Sequence, residues 1–258
     1  MDGADVVINI AGLVRTNDVA ALDALNVRAA DALLVEAAAA GVRRFVHVSS
    51  AGVLGLPGSI VDEGAPLKPS NPYERSKASA EEALRSRRST TELVVVRPSN
   101  VLTADHPEQP LRRLLGSIAA GRRVPVGAGA QTNYVDGDDV ARGIVAAAIA
   151  EAPPEVLHLN CPLALVEFVE LASATVGRRP ARMIKLPAIV SAAASLPLHL
   201  ATRRLPALER VRALVDRTRF ETRHRAWLDA AGVRPALETV LSDMAIRYGV
   251  IARTPAPR

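Results

Sequence analysis

The sequence predicts an α/β protein built on a partial doubly wound parallel sheet, followed by a mainly helical C-terminal lobe. Short runs rich in Val, Ile and Leu alternate with longer stretches of helical periodicity along the first 160 residues. Runs such as Val-Val-Ile and Leu-Val-Val-Val are apolar on both faces, as expected of strands that are covered by helices on both sides. This alternation of strands and helices is typical of parallel sheets.

Four strands and four helices follow from these patterns. The strands are predicted at residues 5–11, 45–49, 93–97 and 156–160, and the helices at residues 19–40, 73–88, 111–121 and 138–150. Asp138 is expected to cap the N-terminus of the fourth helix, and Gly41 is expected to end the first.

The alternation of strand and helix patterns ends near residue 163, and mainly helical patterns follow. Helices are predicted at residues 163–176, 188–204, 206–215, 227–232 and 236–248, and residues 178–187 are predicted to form an extended linker. We therefore predict two domains, an incomplete sheet domain at residues 1–162 and a mainly helical lobe at residues 163–258. A lobe of this kind usually holds the substrate.

Composition excludes several classes of protein. The 258 residues carry a net charge of +5 and include one cysteine, so neither a disulfide framework nor a cysteine metal cluster is expected. The longest apolar stretch, residues 144–150, is far shorter than the roughly 18 residues of a membrane span. The basic residues are dispersed and aromatic residues are few, which disfavours nucleic-acid binding. Cytoplasm is the expected location, and no metal site is predicted.

The most specific local pattern is Tyr73-Glu74-Arg75-Ser76-Lys77, a Tyr-x-x-x-Lys at the start of a predicted helix. Residues i and i+4 share a helix face, about 6 Å apart. A neighbouring ammonium favours the phenolate and is expected to lower the pKa of the Tyr73 phenol. Tyr73 would then serve as a general acid or base for a substrate hydroxyl, although the spacing can also arise by chance.

Polar residues follow two of the predicted strands. Ser49 and Ser50 end the second strand, and Pro98 and Ser99 follow the third. Parallel sheets bind ligands at the carboxyl ends of their strands, so these positions are candidates for a site. Serines at strand ends are otherwise common turn formers.

Together these segments resemble the extended short-chain dehydrogenase/reductases, the NAD-dependent epimerase/dehydratase family. The similarity rests on the strand at residues 3–12, the Asn26-Val27 pair, the serine strand, the Tyr-x-x-x-Lys helix, Val96-Arg97-Pro98 and the turn at residues 134–141. It identifies the sheet domain as a Rossmann-like NAD(P)-binding domain that contains the family's fourth to seventh strands.

The resemblance also implies roles for individual residues. Tyr73 would be the acid/base, Lys77 would lower its pKa and hold the cofactor's ribose hydroxyls, and Ser50 would hydrogen-bond the reacting oxygen. Asn26 would brace the active-site helix or relay protons. The residues expected to contact NAD or NADP are Ala11, Gly12, Ser49, Lys77, Pro98, Ser99 and Val101.

The family's glycine-rich phosphate loop is absent from the sequence. The string Gly52-x-x-Gly55-x-x-Gly58 fits its letters, but the glycine and prolines that follow it cannot open a helix. Without the βαβαβ section that would hold the loop, residues 6–10 are expected to form an unprotected apolar sheet edge. Two interpretations remain open, a shortened or fragmentary enzyme and a degenerate paralogue. The intact set of Ser50, Tyr73 and Lys77 favours the shortened or fragmentary enzyme.

The expected function is NAD(P)-dependent hydride transfer to or from a secondary alcohol or ketone, for example in a sugar nucleotide. Thr132 and Asn133 stand where sugar-nucleotide enzymes usually have an arginine, so a reductase similar to 3β-hydroxysteroid dehydrogenases or dihydroflavonol reductases is an alternative. A non-catalytic dinucleotide sensor is the alternative of another class. The helices at residues 19–40 and 73–88 resemble those through which family members form homodimers.

Overall fold

A central sheet of four parallel strands organises the first part of the chain. The computed structural model describes residues 3–14, 16–87, 89–105, 109–177, 182–186 and 216–251. The sheet strands are β1 (Val6–Asn9), β2 (Arg44–Val48), β4 (Glu92–Pro98) and β8 (Val156–Leu159), in the order β1-β2-β4-β8. All three pairings are parallel, as the sequence predicted.

Short strands and helices complete the described chain. The further strands are β3 (Ile60–Val61), β5 (Asn100–Leu102), β6 (Val124–Gly127), β7 (Gln131–Asp136), β9 (Cys161–Ala164), β10 (Met183–Leu186) and β11 (Arg219–Phe220). The helices are α1 (Val19–Leu22), α2 (Ala29–Ala39), α3 (Pro72–Ser86), α4 (Gln109–Ala119), α5 (Gly137–Ile149), α6 (Leu165–Thr175), α7 (Arg225–Ala230) and α8 (Glu238–Arg247). None of these helices is both long and apolar enough to cross a membrane.

Helices cover both faces of the central sheet, which confirms the doubly wound architecture. On one face, Phe45 packs in a cluster with Leu34 of α2 and Leu84 of α3. On the other, Val46 belongs to a cluster that includes Ile144 of α5. Successive residues of β2 therefore point into two separate cores, which is why this strand is apolar without alternation.

The predicted first helix is interrupted by a π-helical segment, Asp23–Arg28, between α1 and α2. This wider turn contains Asn26, whose side chain is buried. π-Helical turns occur frequently at functional sites because they redirect one side chain. Gly41 follows the helix with a positive φ of 73°, in agreement with its predicted role as the stop.

The predicted cap of α5 was wrong by two residues. Asp136, not Asp138, occupies the N-cap, and its carboxylate accepts a hydrogen bond from the Asp138 backbone N–H at 3.0 Å. Asp138 lies inside the first turn, where a negative charge still favours the helix.

The C-terminal part contains more strand than the sequence predicted. Residues 161–164, expected at or beside the start of a helix, form β9 and pair antiparallel with β7. Within the predicted linker, β10 pairs parallel with β6. The helices predicted at residues 188–204 and 206–215 lie outside the described residues.

One hydrophobic cluster joins α4 and β6 to α6 and α8. Leu115, Val126, Phe168 and Leu241 are among its buried members. The cluster thus draws on both sides of residue 162, and the domain boundary placed there stays a prediction.

Strand β1 lies at the edge of the central sheet. Within the described residues, its only pairing is with β2. Ile8 is 41% exposed and Ile10 is 68% exposed. The apolar edge expected from the sequence is therefore present in the structure.

Arg44, at the start of β2, is a fully buried arginine that ties the sheet to the end of α5. Its guanidinium donates to the carbonyl oxygens of Ala147, Ala148 and Ala150 at 2.6–3.0 Å, and to the Glu92 carboxylate at 2.8 Å. The last carbonyls of a helix have no intrahelical donors and carry partial negative charge. Arg44 therefore satisfies the C-terminus of α5 inside the protein.

We expect Arg44→Met to lower the free energy of unfolding by about 3 kcal/mol, because it leaves these carbonyls without donors. Urea denaturation measures the loss. Arg43→Met is the matched control, since Arg43 pairs with the same Glu92 at 3.9 Å but its side chain is 53% exposed. The Arg43→Met control should lower the free energy of unfolding by about 0.5 kcal/mol or less. Equal losses in the two variants would contradict this account of Arg44.

Candidate active site

The start of helix α3 places the Tyr-x-x-x-Lys pattern. The Asn71 side chain accepts from the Glu74 backbone N–H at 2.9 Å, and the Glu74 carboxylate accepts from the Asn71 N–H at 3.3 Å. Pro72 occupies the first helical turn. This capping box fixes the helix start, so Tyr73 projects from its first turn.

Tyr73 faces a cavity of about 400 Å³ at the carboxyl ends of the central strands. Ser50, which directly follows β2 and Ser49, lines the same cavity, and its hydroxyl opposes the rise in the pKa of the Tyr73 phenol. Ser99, just beyond β4, lines the same cavity. The structure therefore brings Ser50, Tyr73 and Ser99 together, at the sheet edge where parallel folds bind ligands.

The pKa of Tyr73 shifts in the direction opposite to the one expected from the sequence. Burial raises the pKa of the phenol, the Ser50 hydroxyl opposes this rise, and the Glu74 carboxylate adds to it. In this structure Tyr73 is therefore a neutral proton donor at neutral pH. The ammonium expected to lower its pKa is engaged elsewhere.

Lys77 points into the protein beneath the cavity. Its side chain is nearly fully buried, and the ammonium donates to the Val48 carbonyl oxygen at 2.9 Å. Burial lowers the pKa of Lys77 to about 8, although the Glu81 carboxylate opposes the shift. Gly12 lies against this ammonium, because a Cβ at that position would stand 3.0 Å from Nζ.

Asn26 connects the loop after β1 to helix α3. Its amide accepts from the Leu13 N–H at 2.7 Å, donates to the Leu13 carbonyl at 3.0 Å and donates to the Ser76 hydroxyl at 2.8 Å. Ser76 in turn donates to the Tyr73 carbonyl oxygen at 2.8 Å. The geometry suits a bracing role for Asn26, and proton relay stays a prediction.

Of the seven sequence-predicted cofactor residues, Ser99 alone lines the cavity. Ser49 is buried, and its hydroxyl donates to the Glu81 carboxylate at 2.5 Å. Val101 lies on β5, 40% exposed to solvent. Pro98 is buried at the end of β4, and Ala11 is exposed in the loop that also contains Gly12.

The far wall of the cavity comes from a distant part of the chain. Asp216 and Phe220 line it together with Asn133 of β7. Asn133 donates to the Thr218 carbonyl at 2.7 Å and accepts from the Phe220 N–H at 3.0 Å. Asn160 donates to the Phe220 carbonyl at 2.7 Å. These buried amides attach residues 218–220 to the sheet.

Sequence reasoning missed Glu81, Asn160 and the wall formed by Asp216 and Phe220. Glu81 could have been predicted from its spacing, since it lies four residues after Lys77 on the same helix face. The cavity wall could not have been predicted in this way, because Asn133 and Phe220 are 87 residues apart in sequence.

The glycine string rejected as a phosphate loop has a local explanation. Residues Ala51–Leu54 form a 3-10 turn that is not followed by a helix until α3. Gly55 has a φ of 68°, and a Cβ there would lie 2.4 Å from the Lys68 carbonyl oxygen. Close backbone approach therefore accounts for this glycine.

Together, a doubly wound parallel sheet and a tyrosine, serine and lysine at its carboxyl edge define a Rossmann-type protein with a tyrosine-centred site. Residues 1–160 match the model of the NAD dependent epimerase/dehydratase family, and the chain belongs to that family.

Two relatives show how far the sequence similarity extends. The uncharacterized protein y4nL of Sinorhizobium fredii is 31% identical over 208 residues, which cover 74% of this chain and 58% of that protein. The dTDP-D-glucose 4,6-dehydratase of Mus musculus is 30% identical over 156 residues, 57% of this chain and 43% of the enzyme. The chain thus spans about half the length of these relatives.

Solved structures share the fold. A UDP-glucuronic acid 4-epimerase from Bacillus cereus, in complex with NAD, superposes with a TM-score of 0.65 at 17% identity, covering 95% of this chain and 72% of that one. A double mutant of the Streptomyces venezuelae dTDP-glucose 4,6-dehydratase DesIV, with NAD bound, gives 0.64 at 21% identity, covering 96% and 74%.

We expect Asn26→Ala to release the loop after β1 from α3. The Leu13 amide loses its acceptor, so its hydrogen exchange should speed up about tenfold, as expected for one lost buried hydrogen bond. Amide exchange followed by NMR measures this rate. Asn17→Ala, at an exposed asparagine near the same loop, should leave the Leu13 rate unchanged. An unchanged rate in Asn26→Ala would show that the amide does not hold the loop.

Proposed function

We propose that this chain performs the proton-transfer chemistry of an NAD(P)-dependent epimerase, dehydratase or dehydrogenase, acting on a secondary alcohol or ketone of a sugar nucleotide. The observation that supports this most strongly is that Tyr73 and Ser50 line one cavity, with Lys77 one helical turn further along α3.

Gly12, in the loop after β1, and Lys77, on α3, suit the nicotinamide riboside part of the cofactor. Lys77 supplies an ammonium for ribose hydroxyls, and Gly12 leaves the space above it free of a side chain. Among the described residues, no comparable binding contact is available for the pyrophosphate of the cofactor. The helix start after β1 is capped by the Asp18 carboxylate, which accepts from the Ala21 N–H at 3.0 Å and would repel a phosphate.

The proposed reaction transfers a hydride at carbon and a proton at oxygen, each by a different group. A nicotinamide cofactor, when bound, would supply or accept the hydride at the carbinol carbon of the substrate. In the direction of reduction, the neutral Tyr73 phenol donates its proton to the oxygen of the forming alcohol. Oxidation requires Tyr73 to lose its proton first; the phenolate would then take the hydroxyl proton, and the O–H electron pair would become part of the C=O bond. Ser50 would hold that oxygen against Tyr73.

The cavity is lined by the hydrocarbon side chains of Leu56 and Phe220 and by hydrogen-bonding side chains. The relatives named dTDP-glucose dehydratase and UDP-glucuronic acid epimerase favour a sugar nucleotide over a steroid or flavonoid. A dinucleotide sensor remains the competing function, and it would bind NAD or NADP without turnover. The cytoplasmic location and the homodimer stay predictions.

Tyr73→Phe tests the proposal. We expect turnover of UDP-glucuronic acid or dTDP-glucose with NAD to fall about 100-fold or more, because the acid/base is lost while the ring remains. Steady-state kinetics measures the loss, and Tyr248→Phe, on a tyrosine remote from α3 in sequence, is the matched control. Turnover by Tyr73→Phe at the wild-type rate would refute the role of Tyr73. Cofactor binding by calorimetry without any turnover would support the sensor.

A second prediction concerns pH. The pKa of Lys77 lies near 8, so its ammonium is present below that pH and is lost as the pH rises through it. NAD affinity that depends on the ammonium should therefore weaken above about pH 8. Calorimetric titrations between pH 6.5 and 9.5 measure the trend.

Two variants serve as references for the pH series. Lys77→Met should bind NAD more weakly and lose the step near pH 8. Lys68→Met, at an exposed lysine, should keep the wild-type profile. Persistence of the step in Lys77→Met would assign it to another group.

A further inference from the structure

We propose that Glu81 is a positioning residue of the tyrosine site, a buried carboxylate that fixes the ends of β2 and β4 against α3 and keeps the Lys77 ammonium in place. The inference rests on the proposed function, because it assigns Glu81 a task within that site.

The contacts of Glu81 form a closed arrangement inside the protein. Its side chain is fully buried, and it accepts hydrogen bonds from Arg97 Nε at 2.9 Å and from Arg97 Nη2 at 2.6 Å. Ser49 donates to the same carboxylate at 2.5 Å and Arg85 at 2.9 Å. Two-point binding by a guanidinium fixes orientation as well as distance, so the carboxylate has little freedom.

Two partners of Glu81, Ser49 and Arg97, lie within two residues of a residue that lines the cavity. Ser49 directly precedes Ser50, which lines the cavity with Tyr73. Arg97 lies two residues before Ser99, which lines the cavity. A rotation of α3 that moved Glu81 would therefore displace the serine and the tyrosine relative to each other.

Glu81 also acts on Lys77 through charge. The two residues are one helical turn apart on the face of α3 that packs on the sheet, where burial strengthens their attraction. The Glu81 carboxylate raises the pKa of Lys77 against the effect of burial. From the sheet side the lysine faces His47 of β2, whose own pKa is lowered to about 3 by burial, so that histidine adds no charge at neutral pH.

The test uses the small number of lysines in the chain. Protein labelled with lysine carrying ¹³C at Cε gives one signal from each of Lys68, Lys77 and Lys185. The signal that is missing from the spectrum of the Lys77→Arg variant is that of Lys77. Titration by NMR follows each ammonium without substrate or cofactor. In the wild type, the Lys77 midpoint is expected at about 8.

Glu81→Gln keeps the size of the side chain and removes its charge. We expect the Lys77 midpoint to fall by about 1 pH unit or more, while the Lys68 and Lys185 curves stay unchanged. Arg85→Met is the matched control, because it breaks a hydrogen bond to the same carboxylate but leaves its charge. In this variant the Lys77 midpoint should stay at the wild-type value or rise.

Because Glu81→Gln leaves Arg97 as an unpaired buried cation, the double variant with Arg97→Met is measured as well. It removes both charges of the pair, and because loss of the Arg97 cation opposes loss of the carboxylate, the inference predicts a smaller fall in the Lys77 midpoint than in Glu81→Gln alone. A folded variant without the Glu81 charge whose Lys77 midpoint stays at the wild-type value overturns the proposal. An equal fall in Arg85→Met also overturns it, since any damage to the helix would then suffice.

Kinetics separates this inference from the proposed function. If the wild type turns over a sugar nucleotide, the pH–rate profile of Glu81→Gln should move to lower pH, with KM for the sugar nucleotide unchanged. If the wild type shows no turnover, the proposed function fails, and the lysine titration still decides whether Glu81 controls Lys77.

Discussion

The buried carboxylate of Glu81 determines the geometry on which the rest of the site depends. Glu81 is fully buried, and the cost of removing a charge from water is recovered only when several donors surround it. Arg97, Ser49 and Arg85 supply those donors from β4, from the end of β2 and from α3 itself. The arrangement admits one register of helix on sheet, because a shift by one residue would leave both a carboxylate and a guanidinium unpaired.

Local spacing, together with the resemblance to the family, predicted the central residues of the candidate site. Tyr73 and Lys77 lie within one turn of a helix, and Ser50 follows a strand that is recognisable from its apolar run. Their convergence follows from the rule that parallel strands present their carboxyl ends at one edge. The parallel sheet and its two-sided core followed from the same alternation of elements.

Tertiary contacts determined what the sequence could not show. The pKa of Tyr73 moves upward because burial outweighs local charge, and burial is a property of the assembled cavity. Ser49 and Ser50 are chemically identical in the sequence, yet one faces Glu81 and the other faces Tyr73, since successive residues of an extended chain point to opposite sides. Asp136 and Asp138 are equally good caps by composition, and only the backbone geometry selects the first.

The exposed edge of the sheet has a consequence for the dynamics of the site. Strand β1 is held by one neighbour, β2, in the described part of the chain, so it should be among the first elements of the sheet to open. Asn9, at its end, donates to the His47 ring at 3.3 Å, and the loop beyond it contains Gly12, which covers the Lys77 ammonium. Local opening of β1 would therefore admit water to the lysine while α3 and the central strands stay folded. An edge strand of the sheet thus governs the access of water to the Lys77 ammonium.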